Sequence, residues 1–241
     1  LPKMDHNRIP FSYLKDTSNL REIVFKPYYG KYIMTFIIED MVPPFYPDLP
    51  NMAGMDLGTD NIAAIACTDG SSVVYKGGAI LSANQFFAKQ KASAVSILTK
   101  GKKHRHAASA FLNDLSLKHD CFLKDQMHKL STAIVRYCIA HRIGILVVGT
   151  NRLWKQHASM SKENNQKFVS IPHEKLRWMI SYKALIAGIE VIWQEESYTS
   201  KADCTAGDLI PVYGKEKTHL VFSGRRIERG LYLCKAGYCI N

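Results

Sequence analysis

Residues 54–59 read Gly-Met-Asp-Leu-Gly-Thr, and they are followed by the apolar run Ile62–Cys67 and a turn at Asp69-Gly70. Two apolar segments separated by a short polar turn predict the first hairpin of a β-sheet. Asp56 then lies on the first strand, with a glycine on either side of it. A carboxylate fixed on a rigid strand can hold a divalent metal ion against a phosphate. This stretch therefore predicts a sheet that carries an acidic site.

The charge of the chain favours a polyanionic partner. Lys and Arg together number 32 and Asp and Glu 21 among 241 residues, which gives a formal net charge of +11. Each phosphate that a basic side chain neutralises releases counterions, so a basic protein is suited to nucleic acid. The sequence has no run of about 18 apolar residues, which argues against a membrane span. The N-terminus has no signal-peptide stretch and no Met at position 1, and we expect that the chain begins inside a longer protein.

The six cysteines do not form a disulfide pattern. Three of them lie in apolar periodic segments and are predicted to be small buried thiols: Cys67, Cys121 and Cys138. The other three lie in a loop-rich region at spacings that do not form Cys-x-x-Cys pairs: Cys204, Cys234 and Cys239. We therefore expect a reduced, cytosolic protein.

The hydrophobic pattern predicts an N-terminal hairpin followed by an α/β body. Residues 21–40 alternate as two strands that turn at 29–31, and the proline-rich stretch 42–50 indicates a linker. A basic helical region covers 82–140 with a weak point near 99–101, and a helix is predicted at 173–187. The strands predicted in the body are 55–59, 62–67, 71–75, 145–148 and 191–193. Three hairpin-like strands, a long helix, and two further strands separated by a helix match the RNase H order.

A Gly-x-Asp-x-Gly segment also opens sugar kinases and actin-like ATPases. Those enzymes need a second glycine-rich phosphate loop with an Asp, and the sequence contains none. A basic cluster precedes the second part of the helical region, and charged residues continue along the helix. The candidate nucleic-acid-binding residues among them are Lys102, Lys103, Arg105, Lys124 and Lys129. They form either an ordinary solvated face or a phosphate-binding face, and the concentration of like charge favours the second.

Four further segments resemble a known family. They are 122–131 (FLKDQMHKLS), 148–156 (VGTNRLWKQ), 164–172 (NNQKFVSIP) and 195–201 (EESYTSK). In this order they are similar to the RuvC-like core of TnpB (OrfB) proteins, the RNA-guided nucleases of insertion sequences related to type V CRISPR effectors and Fanzor proteins. The resemblance implies an RNase H-like (RuvC) mixed sheet with flanking helices over 51–241, preceded over 1–50 by strands of a β-barrel wedge domain and a linker.

The resemblance implies a metal site built from carboxylates. RuvC sites use an Asp on the first strand, a Glu on the fourth and an Asp on the last helix. Here the fourth strand ends at Gly149 without an acid. In the TnpB branch that this chain resembles, the glutamate is relocated to the end of the neighbouring strand. Asp56 would therefore act with Glu195 or Glu196. Neighbouring strand residues point to opposite faces, and the sequence does not distinguish the two glutamates. The third Asp is expected just beyond the C-terminus, with Asp203 and Asp208 as weak substitutes.

The resemblance also implies partners and cofactors. Mg²⁺ is the expected ion, Mn²⁺ is an alternative, and zinc is not expected because the loop-rich insert at 202–233 lacks a four-ligand set. A guide RNA from the transposon end and a double-stranded DNA target are the expected partners, and no membrane is expected. The resemblance also implies a prokaryotic protein that is cytoplasmic and nucleoid-associated. Trp154 could stack on a base and Lys155 could pair with a phosphate, and Arg225 and Arg226 are further candidate phosphate contacts. A nuclease-inactive RNA-guided DNA-binding protein and a decayed transposon fragment are the alternatives.

Overall fold

The computed structural model describes residues 19–39, 49–101, 109–150, 170–211, 221–228 and 230–240. The chain divides into two compact units, one formed by 1–44 with 82–126 and the other by 45–81 with 127–241. The strands are β1 Leu20–Tyr28, β2 Lys31–Ile38, β3 Asn51–Asp56, β4 Asn61–Cys67, β5 Ser72–Lys76, β6 Ile143–Thr150, β7 Glu190–Glu195, β8 Arg225–Glu228, β9 Leu231–Leu233 and β10 Cys239–Ile240. The helices are α1 Gly78–Thr99, α2 Ala110–Ala140 and α3 His173–Ile186.

The second unit contains a five-stranded sheet in the order β5-β4-β3-β6-β7. β3 pairs antiparallel with β4 and parallel with β6, and β6 pairs parallel with β7. The predicted α/β fold with a mixed sheet and flanking helices is confirmed. β3 lies in the centre and ends at Asp56 rather than at 59, because the chain turns at Gly58, where a Cβ would lie 2.7 Å from the carbonyl oxygen of Asn61.

The core of this unit lies between the central strands and the helices. Alternate residues of β3 and β6 are buried, including Met55, Leu146 and Val148, as a strand period of two requires. On α2, Met127 and Ile134 are fully buried and belong to an apolar stripe in this half of the helix. This core holds β3 and β6 rigidly side by side.

A lysine joins α3 to the C-terminal half of α2. Lys183 Nζ donates hydrogen bonds to the His128 carbonyl oxygen (2.8 Å), Ser131 Oγ (2.7 Å) and Thr132 Oγ1 (2.8 Å). Burial lowers the pKa of Lys183 from its ordinary value, because the cation loses part of its hydration. Three neutral oxygens replace that hydration, and they fix the position of α3.

The first unit contains the predicted hairpin, which the structure confirms as β1 and β2. The turn uses Tyr29 (φ 49°) and Gly30 (φ 77°) in the left-handed region. The predicted weak point of the helical region is also present, since α1 ends at Thr99 and Gly101 has φ 74°. α1 begins at Gly78, four residues before the predicted start, and most of the proline-rich stretch lies outside the described residues.

The prediction that Cys67, Cys121 and Cys138 are buried is correct for Cys138 only. Cys121 is exposed and Cys67 is half-buried, and all six cysteines are free. Cys121 lies on α2 directly before the apolar position Phe122, and consecutive helix residues do not share one face. Among the described residues, no helix is both long and apolar enough to cross a membrane.

Candidate functional site

Asp56 is the last residue of the central strand, and its side chain is exposed. Met55, the residue before it, pairs with Val148 on β6, and both are buried. One residue further along each strand, Asp56 and Gly149 lie side by side and face away from that core. The predicted acid therefore stands at the end of β3, beside the end of the strand that carries no acid.

The turn after β7 fixes the backbone of Glu196. The Glu196 amide donates to the carbonyl oxygen of Thr150, the last residue of β6, at 3.2 Å. The Glu196 carbonyl oxygen accepts from Thr199 Oγ1 at 2.8 Å and from the Thr199 amide at 3.3 Å. Both polar backbone groups of Glu196 are satisfied, and its side chain starts from a defined position above the end of β6.

The Glu196 carboxylate lies against Gly149. A Cβ built on Gly149 would come within 2.3 Å of Glu196 Oε2, 3.4 Å of its Cδ and 3.7 Å of its Cβ. Any side chain at this position would therefore compete with the carboxylate for the same space. The structure places an acid from the neighbouring strand end where a side chain on β6 would lie, and on the face of the sheet that Asp56 also occupies.

The electrostatics of Glu196 suit a cation. Burial raises the pKa of Glu196 above its ordinary value, the charge of Asp56 raises it further, and Glu195 adds a smaller effect. Arg177 on α3 opposes these effects. A half-buried carboxylate that is repelled by a second carboxylate gains free energy when a cation binds between the two. Asp56 and Glu196 therefore fit a hard divalent ion, which prefers oxygen ligands.

Glu195 has a different environment. Its Oε1 atom accepts hydrogen bonds from the Ser197 amide (3.0 Å) and from Ser197 Oγ. These bonds close a tight local turn directly after β7. The structure thus brings Asp56 and Glu196 together and engages the Glu195 carboxylate in shaping the turn.

The candidate substitutes for a third acid hold the insert together. Asp203 is fully buried, and its carboxylate accepts from Thr205 Oγ1 (2.6 Å) and from the amides of Thr205 (2.9 Å), Ala206 (3.3 Å) and Lys235 (2.7 Å). The Asp208 carboxylate accepts from the Asp203 amide (2.8 Å), from the Ser223 amide (2.8 Å) and from Ser223 Oγ (2.6 Å). Within the described ranges, no group of three His, Cys, Asp or Glu residues could hold a metal ion.

We expect Asp203→Asn to loosen the insert, because an amide cannot accept all of these hydrogen bonds. The side-chain bond from Thr205, followed by the Lys235 amide, lowers the pKa of Asp203. A lowered pKa stabilises the fold above the ordinary pKa of Asp, and this stability is lost as pH falls through the folded value. Limited digestion should show faster cleavage of Asp203→Asn by trypsin at neutral pH, and faster cleavage of the unaltered chain by pepsin, a protease active in acid, as pH falls below the ordinary pKa of Asp. Glu228→Gln, an exposed acid of the same insert, serves as the control, and equal rates for the two variants would contradict the prediction.

The predicted nucleic-acid-binding residues are placed only in part. Lys124 and Lys129 are exposed on α2, and Arg225 and Arg226 are exposed on β8. Arg226 Nε donates to the Glu228 carbonyl oxygen at 3.3 Å, which orients its guanidinium. Five others lie outside the described residues: Lys102, Lys103, Arg105, Trp154 and Lys155.

Sequence reasoning did not single out Arg177. Its side chain is only 12% exposed, and Nη1 donates to Glu174 Oε1 at 2.6 Å. Nε is buried and has no hydrogen-bond partner among the described residues. The only sequence signal is the i, i+3 pair with Glu174, which is common on ordinary helix surfaces. Its proximity to Glu196 follows from the packing of α3 against β7.

The sequence model of one protein family matches this chain. Residues 41–155 match OrfB_IS605, which is described as a probable transposase. The matched segment includes β3 with Asp56, both long helices and β6 with Gly149. No curated protein matches the chain by sequence.

The fold of this chain is similar to that of a solved protein. The chain is similar to a protein in "Cryo-EM structure of the Cas12f1-sgRNA-target DNA complex", with a TM-score of 0.55 and 14% identity, over 79% of this chain. It spans 38% of the length of that protein. A second similarity, to "Cryo-EM structure of CRISPR-Cas12f Ternary Complex", has a TM-score of 0.47 and 17% identity over 72% of this chain and 34% of the other. At this level of identity, the first similarity shows the shared fold.

Proposed function

We propose that this chain, whose residues 41–155 match the model of the OrfB family of probable transposases, is an OrfB (TnpB) protein and the catalytic part of an RNA-guided DNA endonuclease. The proposed reaction is metal-dependent hydrolysis of a phosphodiester bond. The observation that carries the proposal is the position of the Glu196 carboxylate against Gly149, on the same face of the sheet as Asp56.

We propose Asp56 and Glu196 as the residues that hold Mg²⁺, with Mn²⁺ as a substitute. The ion, when bound, would neutralise charge on the scissile phosphate and lower the pKa of water. The chain itself contributes two carboxylates, one at the end of β3 and one directly after the end of β7. The positive charge of Arg177 partly offsets the repulsion at Glu196. In this assignment, Glu195 positions the turn that carries Glu196, through its hydrogen bonds to Ser197.

The proposed partners are a guide RNA and a target DNA duplex. The net charge of +11 and the exposed basic residues of α2 and β8 are suited to phosphate backbones. The similar Cas12f1 protein was solved with a single guide RNA and a target DNA, which agrees with partners of this chemistry. Base pairing with the guide would select the sequence, and the protein would recognise backbone and shape.

A nuclease-inactive, RNA-guided DNA-binding protein is the second candidate. It is favoured by one observation, the absence of a third acid beside Asp56 and Glu196 among the described residues. Such a protein would bind the same partners and leave the DNA intact.

The test is a reconstituted cleavage assay. The 241-residue chain, and the same chain extended in its natural reading frame at both ends, would be combined with a transposon-end RNA, matched duplex DNA and Mg²⁺. Guided cleavage that EDTA abolishes supports the endonuclease. Tight guided binding without cleavage by either form supports the second candidate, and neither binding nor cleavage would contradict both.

We expect Gly149→Ala to reduce cleavage by roughly 10- to 100-fold, the loss typical of a displaced support around a metal ligand. The new methyl group would take the space of Glu196 Oε2 and push the carboxylate aside. Gly54→Ala on β3 is the matched control, because a Cβ there has no atom within 4 Å. Cleavage rates and thermal melting of both variants would be measured. Equal cleavage by the two variants would contradict the assignment of Glu196.

A further inference from the structure

The first unit contains a small cleft that the proposed function does not use. It has a volume of about 150 Å³ and lies between the hairpin turn and the helices α1 and α2. Tyr29 lines it from the turn, Phe87 and Lys91 from α1, and Ser116 and His119 from α2. Ligand pockets for drug-sized molecules are typically about 300–1,000 Å³, so this cleft suits one planar ring system.

Aromatic rings form the wall of the cleft. The rings of Phe87 and His119 stack with their centroids 4.6 Å apart and their planes at 26°. The His119 ring is held by a 2.7 Å hydrogen bond from Nε2 to Oδ1 of the buried Asn84. Tyr29 remains 39% exposed at the cleft. Both rings line the cleft, and rings that are already held in place can contact another planar ring at little cost in conformational entropy.

The turn that carries Tyr29 is fixed to α2. Lys31 Nζ pairs with Asp114 Oδ1 at 3.5 Å, and a Cβ on Gly30 would lie 3.3 Å from Asn113 Nδ2. Because Tyr29 itself has a left-handed φ of 49°, its ring direction is set by the turn as well as by its neighbours. The walls of the cleft therefore come from elements that already contact each other.

The charged groups of the cleft are of both signs. Lys91 is exposed at the cleft, and a lysine ammonium is a common phosphate ligand. Burial, and then the charge of Lys91, lowers the pKa of His119, which keeps the imidazole neutral at pH 7. Asp120 also lines the cleft. A free inorganic anion would be repelled by this acid, whereas a nucleotide combines an uncharged planar ring with a phosphate.

We propose that this cleft binds one unpaired base of a single-stranded nucleic acid, with the base beside the Phe87–His119 stack and its phosphate at Lys91. The inference rests on the proposed function for the choice of nucleic acid as the ligand, and it does not involve the acid pair. Every base has a planar face, so the cleft would act on single strands with little sequence preference.

The chain offers a matched control for each key residue. Phe86 is next to Phe87, is 57% exposed and contacts its ring edge-on at 5.5 Å, but it lies outside the cleft lining. Lys89 is an exposed lysine two residues before Lys91 on α1 and lies outside the lining. The variant pairs are therefore Phe87→Leu against Phe86→Leu, and Lys91→Gln against Lys89→Gln. Leucine keeps apolar volume and removes only the aromatic face, so loss of folding is avoided.

The experiment measures affinity of the 241-residue chain for short fluorescein-labelled oligoadenylates by anisotropy, as RNA and as DNA, with a duplex of the same length and with EDTA present. Base stacking removed by mutation costs roughly fivefold or more in affinity. We expect that loss for single strands with Phe87→Leu and Lys91→Gln, less than about twofold with the controls, and unchanged duplex binding. A larger loss with RNA assigns the strand to the guide, and a larger loss with DNA assigns it to the target.

Equal effects within each variant pair, or the same loss for duplex and single strand, would overturn the inference. The cleavage assay separates this failure from that of the proposed function. Guided cleavage without a difference in affinity within the variant pairs would contradict the proposed role of the cleft and support the endonuclease. The expected pattern of affinities without guided cleavage would support the proposed role of the cleft and contradict the endonuclease.

Discussion

Glu196→Gln is expected to lower Mg²⁺-dependent DNA cleavage by more than about a hundredfold, whereas Glu195→Gln should lower it by about tenfold or less. Loss of a group that only supports a metal ligand costs 10–100-fold, and loss of a ligand should cost more. The Glu196 carboxylate lies against Gly149 and is close enough to Asp56 for the charge of Asp56 to raise its pKa. The Glu195 carboxylate is instead bonded to Ser197 through one oxygen, and because glutamine keeps one oxygen acceptor, the loss for Glu195→Gln should not exceed the lower end of that range.

Both variants keep the size of the side chain, so each serves as the other's control for folding. Cleavage rates would be measured at several Mg²⁺ concentrations, with binding of guide RNA and DNA measured separately. We expect unchanged binding in both variants. A larger loss of cleavage with Glu195→Gln than with Glu196→Gln would reverse the assignment of the two glutamates.

The second large effect is expected for Asp56→Asn, which should also reduce cleavage by more than about a hundredfold. Asp56 ends the central strand and provides the other carboxylate of the pair. Removing its charge also removes repulsion of Glu196, so the pKa of Glu196 should fall toward its ordinary value. Thermal melting without Mg²⁺ should therefore show equal or slightly higher stability in Asp56→Asn, as is common for substitutions that relieve active-site strain.

Asp60→Asn is the matched control for this variant, since Asp60 is an exposed acid in the turn that follows β3. It should leave cleavage within about twofold of the unaltered chain, as surface substitutions usually do. Stability of Asp56→Asn that falls well below that of Asp60→Asn would show that Asp56 has a structural role, and near-normal cleavage would exclude it as a ligand.

The sequence predicted the sheet because its strands carry clear local signals. The run Ile62–Cys67 is apolar and bounded by turns, and β6 is rich in β-branched residues, so periodicity and composition agree. The start of β3 was not predicted. Residues 51–54, Asn-Met-Ala-Gly, have weak strand propensity, and their extended conformation depends on pairing with β4 and β6 on both sides.

For the candidate site, the sequence could predict what depends on one strand alone, but not what depends on contacts between strands. Asp56 follows from its own strand, because its neighbours fix which face it occupies. The choice between Glu195 and Glu196 depends on where β7 ends and on the hydrogen bond from the Glu196 amide to the Thr150 carbonyl oxygen. These two residues are 46 positions apart in the sequence, and no local pattern encodes their contact. The basic face remains a prediction for the residues outside the described ranges.

The close approach of Gly149 and Glu196 also has a consequence for how such a site can change in evolution. A glutamate introduced at 149 while Glu196 is present would bring two carboxylates into one space, and a loss of Glu196 alone would leave a single acid beside Asp56. Each single step is unfavourable, although both end states hold one carboxylate at nearly the same point. The position of this acid on one strand or the other is therefore expected to be inherited as a pair of residues, and lineages should change both positions together or neither.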